Sequence, residues 1–307
     1  MTKEANKTSQ ETATHSIQAT EITPRINERR RFLRVFFSRP VVVFGAIVIV
    51  IFLLISAFPG LFAPFPSNEQ DLSNRLLKPG EQGHLLGTDA VGRDMLSRII
   101  YGSRTAIMVG IVALSISAII GVVLGLTAGY FGGITYTIIM RFIDALMTFP
   151  PILLALTIAA LLGGGILNVM IALGIGLMPS YARVMCGQAI TIRENDYILA
   201  ARSSGGSSLH IMTRHVLPNA LSPMIVLMTL MIGITILAEA GLSFLGVGVT
   251  PPTPTWGGMV FEGIPYLLTD PLLSFIPGIT IMVVVFAFNM VGDGLRDAID
   301  PRLRGTI

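Results

Sequence analysis

The sequence predicts an all-α integral membrane protein that crosses the bilayer six times, and three observations carry that prediction. Hydrophobic residues make up 52% of the chain and charged ones only 13%, about half the charged share of an ordinary soluble domain. Charge-free stretches recur at lengths that span a hydrocarbon core of about 30 Å at about 1.5 Å of helix rise per residue. The basic residues also favour one side of those stretches: Arg25, Arg29, Arg30, Arg31, Arg34 and Arg39 cluster just before the first apolar run. That is the pattern of a cytoplasmic membrane flank and not of a nucleic-acid surface.

Each element follows in order. Residues 1–23 are rich in Thr, Ser, Gln, Ala and Glu, with too little apolar surface to offset the entropy of folding, so a disordered tail is expected. With the basic flank it makes residues 1–39 one cytoplasmic unit. Val41 to Phe58 is interrupted only by Ser56, which exceeds the roughly 7 to 15 residues of a secretory h-region and reads as an uncleaved first span. Residues 40–104 are then the first span and an extracytoplasmic loop. Residues 105–129 make the second span, ending in "GYFGG". The apolar run over 136–184 is too long for one crossing and is expected to break at Gly163-Gly164-Gly165 into two spans. His215 to Ala238 and Pro271 to Gly292 supply one span each, completing a core of five spans over 105–295, with a cytoplasmic tail over 296–307. Six crossings return the C-terminus to the side of the N-terminus. On that topology Arg75, Lys78, Arg93, Arg98 and Arg104 are the basic residues of the outer loop, and the rest of the 21 lie inside.

The residue inventory excludes whole classes of chemistry. Lys3, Lys7 and Lys78 are the only lysines, and no Gly-rich loop ends in Gly-Lys-Ser/Thr, so the chain does not form its own P-loop ATPase. Neither His-Glu-x-x-His nor Gly-x-Ser-x-Gly occurs, and His15, His84, His210 and His215 are dispersed, which leaves no metal site, nucleophile elbow or cofactor motif. The single Cys186 excludes an intrachain disulfide and a multi-thiolate centre.

A few residues within the spans stand out. Gly121, Gly125 and Gly129 recur every fourth residue and so share one helix face, where they allow close packing of another helix or line a path. Arg141 and Asp144, three apart at the inner mouth of the third span, are placed to pair. Glu239 is the only acid between Asp196 and Glu262, and its position in the outer half of a span calls for a partner or hydration, whether its role is structural or functional. The outer segment Thr250 to Asp270 carries Pro251, Pro252, Pro254 and Pro265 with Trp256 and Tyr266. It reads as an aromatic belt anchor, or as a stiff interfacial cap.

Between two spans lies a polar island, "LAARSSGGSSLHIMTRHVLPN", residues 199–219 within a loop of 186–218. Glu194 to Ser203 is expected as one short helix with Tyr197, Ile198 and Ala201 on its apolar side. Gly205-Gly206 breaks it, Ser207 caps a second helix and Pro218 stops that one. Two short helices joined at glycine form a knob that fits a groove on a soluble partner, or else an amphipathic segment on the bilayer surface.

The island resembles the cytoplasmic coupling motif of ABC importer permeases, in which Glu-Ala-Ala is followed at fixed spacing by Gly and then by Ile-x-Leu-Pro. Ala200, Ala201, Gly205, Leu217 and Pro218 match, while Leu199 stands at the usual Glu and His215 at the usual Ile. "GTDAVGRDMLSR", "EAGLSFLGVG", "PPTPTWGGM" and "GDGLRDAIDPR", in that order, resemble signatures of the C-type membrane subunit of the dipeptide/oligopeptide/nickel branch. The resemblance implies the ABC type I importer permease fold with both termini cytoplasmic, in a bacterial or archaeal cell membrane. It also implies a heterodimer with a homologous B-type permease, two cytoplasmic ATPase subunits that bind ATP and Mg, and an extracytoplasmic substrate-binding protein. Peptide is the implied cargo, with nickel–chelator complexes and glutathione as alternatives. Asp293, Arg296 and Asp297 in the last motif are read as pairing to lock the tail or as meeting an ATPase. An ion-coupled secondary transporter and a membrane scaffold are the rival classes. Against the former stand a single intramembrane acid and no visible repeat.

Overall fold

The computed structural model describes residues 28–299, so the expected disordered tail over 1–23 and the last residues of the C-terminal tail lie outside the described residues. Chain order runs α1 (Glu28–Phe36), α2 (Pro40–Ala57), the single turn α3 (Pro59–Phe62), α4 (Met95–Phe131), α5 (Gly133–Met147), α6 (Pro151–Leu162) and α7 (Ile166–Arg193). It continues with α8 (Asp196–Ser203), α9 (Ser208–Ile211), α10 (Leu217–Phe244), α11 (Trp256–Gly263) and α12 (Leu272–Ile299). By length and composition α2, α4, α7, α10 and α12 each suffice to cross a membrane, and α5 with α6, bent by 88°, pass the same test only as a pair. The apolar crossings number five, or six with the bent pair taken as one span.

The bundle is organised by α4 against α7. A Cβ built on Gly121 would lie 2.5 Å from Tyr181 Cβ, one on Gly125 2.3 Å from the Ala182 carbonyl oxygen, and one on Gly129 2.6 Å from that of Cys186. No side chain fits at any of the three, so backbone meets backbone along this seam. Ser117 Oγ adds a cross-helix bond by donating to the Gly174 carbonyl at 2.8 Å. Around the seam pack α6 on the outer half of α7 and α10 with α12 on the far side, and α2 lies outermost with most of its large apolar side chains exposed.

Four expectations about elements change. The second span begins at Met95, ten residues before Thr105, because Asp94 caps it by accepting from Ser97 N at 2.7 Å and its polar first turns are buried under the outer loops. The third span does turn into the fourth at Gly163, Gly164 and Gly165, all with positive φ, yet it is also broken at Thr148–Pro150. There Pro150 and Pro151 remove two consecutive helix donors. Pro218 does not stop the helix after Ser207. One 37-residue helix runs from Ser208 to Phe244, because a π-turn over Met212–Val216 widens the spacing where Pro218 lacks an N–H, and Asn219 Nδ2 caps the His215 carbonyl at 2.6 Å. Residues 296–299, expected in a tail, complete α12.

Two expected ion pairs are also replaced by longer-range ones. Asp144 meets Arg183 of α7 instead of Arg141, since the neighbouring helix presents a guanidinium to the same carboxylate. Asp297 takes Arg39, just before α2, at 3.0 Å instead of pairing within its own helix. This contact ties the first span to the last.

The end of the bundle opposite the polar island is built around "GTDAVGRDMLSR". Asp89 Oδ1 accepts from the N–H groups of Val91 and Arg93, both at 2.9 Å, and its Oδ2 accepts from Arg93 Nε at 2.6 Å. Arg93 and Arg98 then converge on Glu262 of α11 at 2.7 and 3.3 Å, and His84 Nδ1 lies 2.8 Å from Asp94. Trp256 is not the belt anchor that its aromatic, proline-rich neighbourhood implied. It is 2% exposed, donates from Nε1 to the Ile99 carbonyl at 3.0 Å and covers Gly102, where a Cβ would lie 2.9 Å from its ring.

Two expectations for experiment follow from this packing. Gly125→Val should lower the thermal stability of the detergent-purified protein by about 1–3 kcal/mol, the usual cost of overpacking, and a change of less than half that would show that the seam can open. In a Cys186→Ser background, Gln70→Cys and Ser203→Cys should react with an impermeant thiol reagent from opposite faces of the membrane. Labelling from one face would reject the six-span path.

Candidate functional site

The polar island folds into a compact knob beyond the inner end of α7. Helix α8 ends in a Schellman motif: the Gly206 N–H donates to the Ala201 carbonyl at 3.1 Å and the Gly205 N–H to that of Arg202 at 3.0 Å. Gly205 holds φ at +80°, the left-handed region that a Cβ disfavours. A Cβ on Gly206 would meet the Ala201 carbonyl oxygen at 2.9 Å, so the two glycines serve different needs: one the turn, the other the close return of the chain. Ser207 then caps α9 by accepting from His210 N at 3.4 Å.

Two side chains root the knob in the bundle. Ile198 and Ile211 are fully buried among Tyr181, Met185, Ile192 and Val216, each worth roughly 1.5–3 kcal/mol as an apolar anchor. With that face committed, the opposite one is presented to solvent. Leu199 is 50% exposed and Leu209 71%, and Ala200 and Gly205 lie in the open while Ala201 is partly covered. Tyr197, grouped by sequence with the apolar side, points outward instead, because consecutive residues of a helix lie about 100° apart and Ile198 takes the buried face. Arg202 stacks over the Tyr130 ring at 4.8 Å, and Arg193 Nη1 donates to the Gly129 carbonyl at 2.9 Å, so the knob is braced against the end of α4.

The sequence-selected residues fall into three places. Leu199, Ala200, Ala201, Gly205 and Gly206 share the knob, and His215, Leu217 and Pro218 form the neck by which it joins α10. His215 lies edge-on to His210 with ring centroids 5.8 Å apart. Gly121, Gly125 and Gly129 belong to the α4–α7 seam. Glu239 is twenty-two residues beyond Leu217 on α10, about 33 Å away along the helix, and is 1% exposed. Its carboxylate accepts from Ser243 Oγ at 2.8 Å, and Ser243 Oγ accepts in turn from Val249 N at 3.3 Å. Gly248 closes the chain, for its carbonyl accepts from Gly165 N at 3.2 Å. Glu239 thereby fastens the outer end of α10 to the turn between α6 and α7. Sequence reading missed Leu209, the anchors Ile198 and Ile211 as a pair, and the brace from Arg193. Leu209, an apolar residue two after a capping serine, carried a legible signal.

A family model described as the binding-protein-dependent transport system inner membrane component matches residues 121–305. The chain belongs to that family. A second model, the N-terminal TM domain of oligopeptide transport permease C, matches residues 29–79. The dipeptide transport system permease protein DppC of Alkalihalophilus pseudofirmus is 42% identical over 260 residues, covering 85% of each chain. The glutathione transport system permease protein GsiD of Pectobacterium atrosepticum is 38% identical over 275 residues, covering 90% of this chain and 91% of the relative. Among solved structures, a chain of the MetNI methionine ABC transporter in an inward-facing conformation aligns with a TM-score of 0.56 at 18% identity, over 67% of this chain and 98% of that one. At that identity the likeness shows the fold alone, and it is the fold described above. The protein is therefore a multi-pass membrane permease component.

The Glu239 geometry gives a direct expectation. Glu239→Gln keeps an acceptor for Ser243 and should leave thermal stability nearly unchanged, with no shift in the pH dependence of any transport. Glu239→Leu, which strands the buried hydroxyl, should cost about 1–3 kcal/mol in a melting experiment. Equal melting of the two variants would remove the polar relay from the account of this turn.

Proposed function

We propose that this chain is one of two permease subunits in an ATP-driven importer that carries peptides into the cytoplasm. The observation that bears most of the weight is the knob, whose apolar root is fixed in the bundle while Leu199, Leu209 and the glycine turn face outward. A protrusion of this kind is suited to sit in a groove of a soluble partner. Two cytoplasmic ATPase subunits, which bind ATP and Mg, are the partners of the two knobs, and a homologous B-type permease completes the membrane pair. An extracytoplasmic binding protein delivers the cargo. Both termini and the knob lie on the cytoplasmic side in this reading.

The mechanism follows from stiffness. Closure of the ATPase pair on ATP moves the knobs, and each knob is continuous with the 37-residue helix through Phe244. The seam of α4 and α7 has no room to shear at its glycines, so the core turns as a body and exposes the path to one side of the membrane and then the other. Peptide cargo is supported by the relatives named for dipeptide transport, and glutathione, itself a peptide, by a relative of nearly equal similarity. Mass spectrometry of the ligand that co-purifies with the cognate binding protein separates the two.

The coupling assignment is tested at Gly205. A Cβ there meets nothing within 4 Å, so a large side chain projects from the knob without disturbing this chain. The backbone strain of about 1–2 kcal/mol is common to every L-residue at this position. Gly205→Ala should therefore keep ATPase association and peptide uptake, whereas Gly205→Trp should abolish both while pairing with the second permease persists. Wild-type uptake by Gly205→Trp would withdraw the coupling role.

A further inference from the structure

Helix rise puts the break in the third span about half a hydrocarbon core from the end of α7 at Ile166. A Cβ on Gly176 of α7 would sit 3.1 Å from the Pro151 carbonyl oxygen, which puts the start of α6 level with Gly176. Ten residues separate Gly176 from the outer end of α7 at Ile166, a rise of about 15 Å, half of a hydrocarbon core of about 30 Å. The residues at the break, Met147 through Pro151, are all exposed on this chain.

Its backbone is short of donors. Within a continuous helix the Met147 carbonyl would accept from residue 151, or from 150 in a tighter turn, but both are proline. Thr148 N and Phe149 N turn back to Ala145 and Leu146, while Leu153 N and Leu154 N both serve the Pro150 carbonyl. The carbonyl oxygens of Met147, Thr148 and Phe149 accept no hydrogen bond from the described residues. Lipid offers no donor, so exposed non-helical backbone at this depth is tolerated only beside protein or water. Close by, Asp144 and Arg183 meet each other with both side chains half-exposed, seven residues of α7, about 10 Å, further inward. An ion pair left open at such a place likewise calls for water and not acyl chains.

We propose that this break lines the water-filled passage of the importer, and that the carbonyls of Met147, Thr148 and Phe149 receive the amide N–H and ammonium groups of the passing peptide. The inference rests on the importer reading above. Backbone acceptors suit such a cargo because every peptide presents N–H donors whatever its side chains, so contact here is indifferent to sequence.

The test uses the assembled transporter in proteoliposomes, with Cys186→Ser as background and uptake of a labelled peptide measured in parallel. Thr148→Cys and Phe149→Cys should react with a charged, impermeant methanethiosulfonate reagent in the nucleotide-free or the ATP-trapped state. Phe44→Cys, exposed on α2, should react in neither. Pro151→Ala restores an N–H for the Met147 carbonyl, and uptake should fall about tenfold, the equivalent of one hydrogen bond. Silence at both cysteines in both states, with uptake retained, would overturn the proposal by placing the break against the partner permease. Unchanged uptake by Pro151→Ala would overturn the role of the carbonyls. Failure of the unmodified transporter to import any peptide is a different result and would instead sink the importer reading.

Discussion

Everything in this bundle depends on the absence of side chains along one edge of α4. At Gly121, Gly125 and Gly129 the backbone of α7 comes closer than any Cβ permits, and helices in lipid gain their association from such close approach and not from hydrophobic burial, since acyl chains are as apolar as leucine. The seam sets the position of α7, and α7 sets most of what lies around it. Its outer half receives α6, its inner half roots the knob through Ile192 and Met185, and its last residue, Arg193, reaches back to Gly129.

Polar groups settle at the two ends of this scaffold by different means. Outside, charges are buried together: Arg93 and Arg98 share Glu262, and Asp89 holds its own turn. Such clusters cost desolvation, which is offset here because Asp89 and Glu262 each receive more than one donor. Inside, the knob spends few charges and relies on two isoleucines and a helix-terminal turn. The outer surface is consequently a cross-linked cap, and the inner one a protrusion with a small footing.

Span number was legible in the sequence because charge-free length is a direct consequence of bilayer thickness. The start of α4 was not, because Arg98 and Arg104 mimic a loop until the loops that bury the former are in place. The break at Thr148–Pro150 had a signal in its two prolines, but a glycine triplet fifteen residues on is the more conspicuous breaker. Trp256 was misread for a deeper reason: its slot is Gly102, far away in the chain, and no local pattern announces that complementarity. At the candidate site the glycine pair and the capping serine were legible one residue at a time, since turn chemistry is local. The neck was not, because proline was read as a stop although a π-turn accommodates it.

The uninterrupted helix from Ser208 to Phe244 has a mechanical consequence. At about 1.5 Å per residue it is a rod of about 55 Å, longer than the bilayer is thick. One tip is sunk in the knob and the other is tethered through Glu239 and Ser243 to the turn above α7. A rod held at both tips carries tilt from one to the other, and its weaker joints are the widened turn at Met212–Val216 and the interior Pro223, which lacks a helix donor. In the proposed importer, torque arriving at the knob would be divided at those joints between bending the neck and swinging the far tip, so their stiffness would set the gearing of the lever.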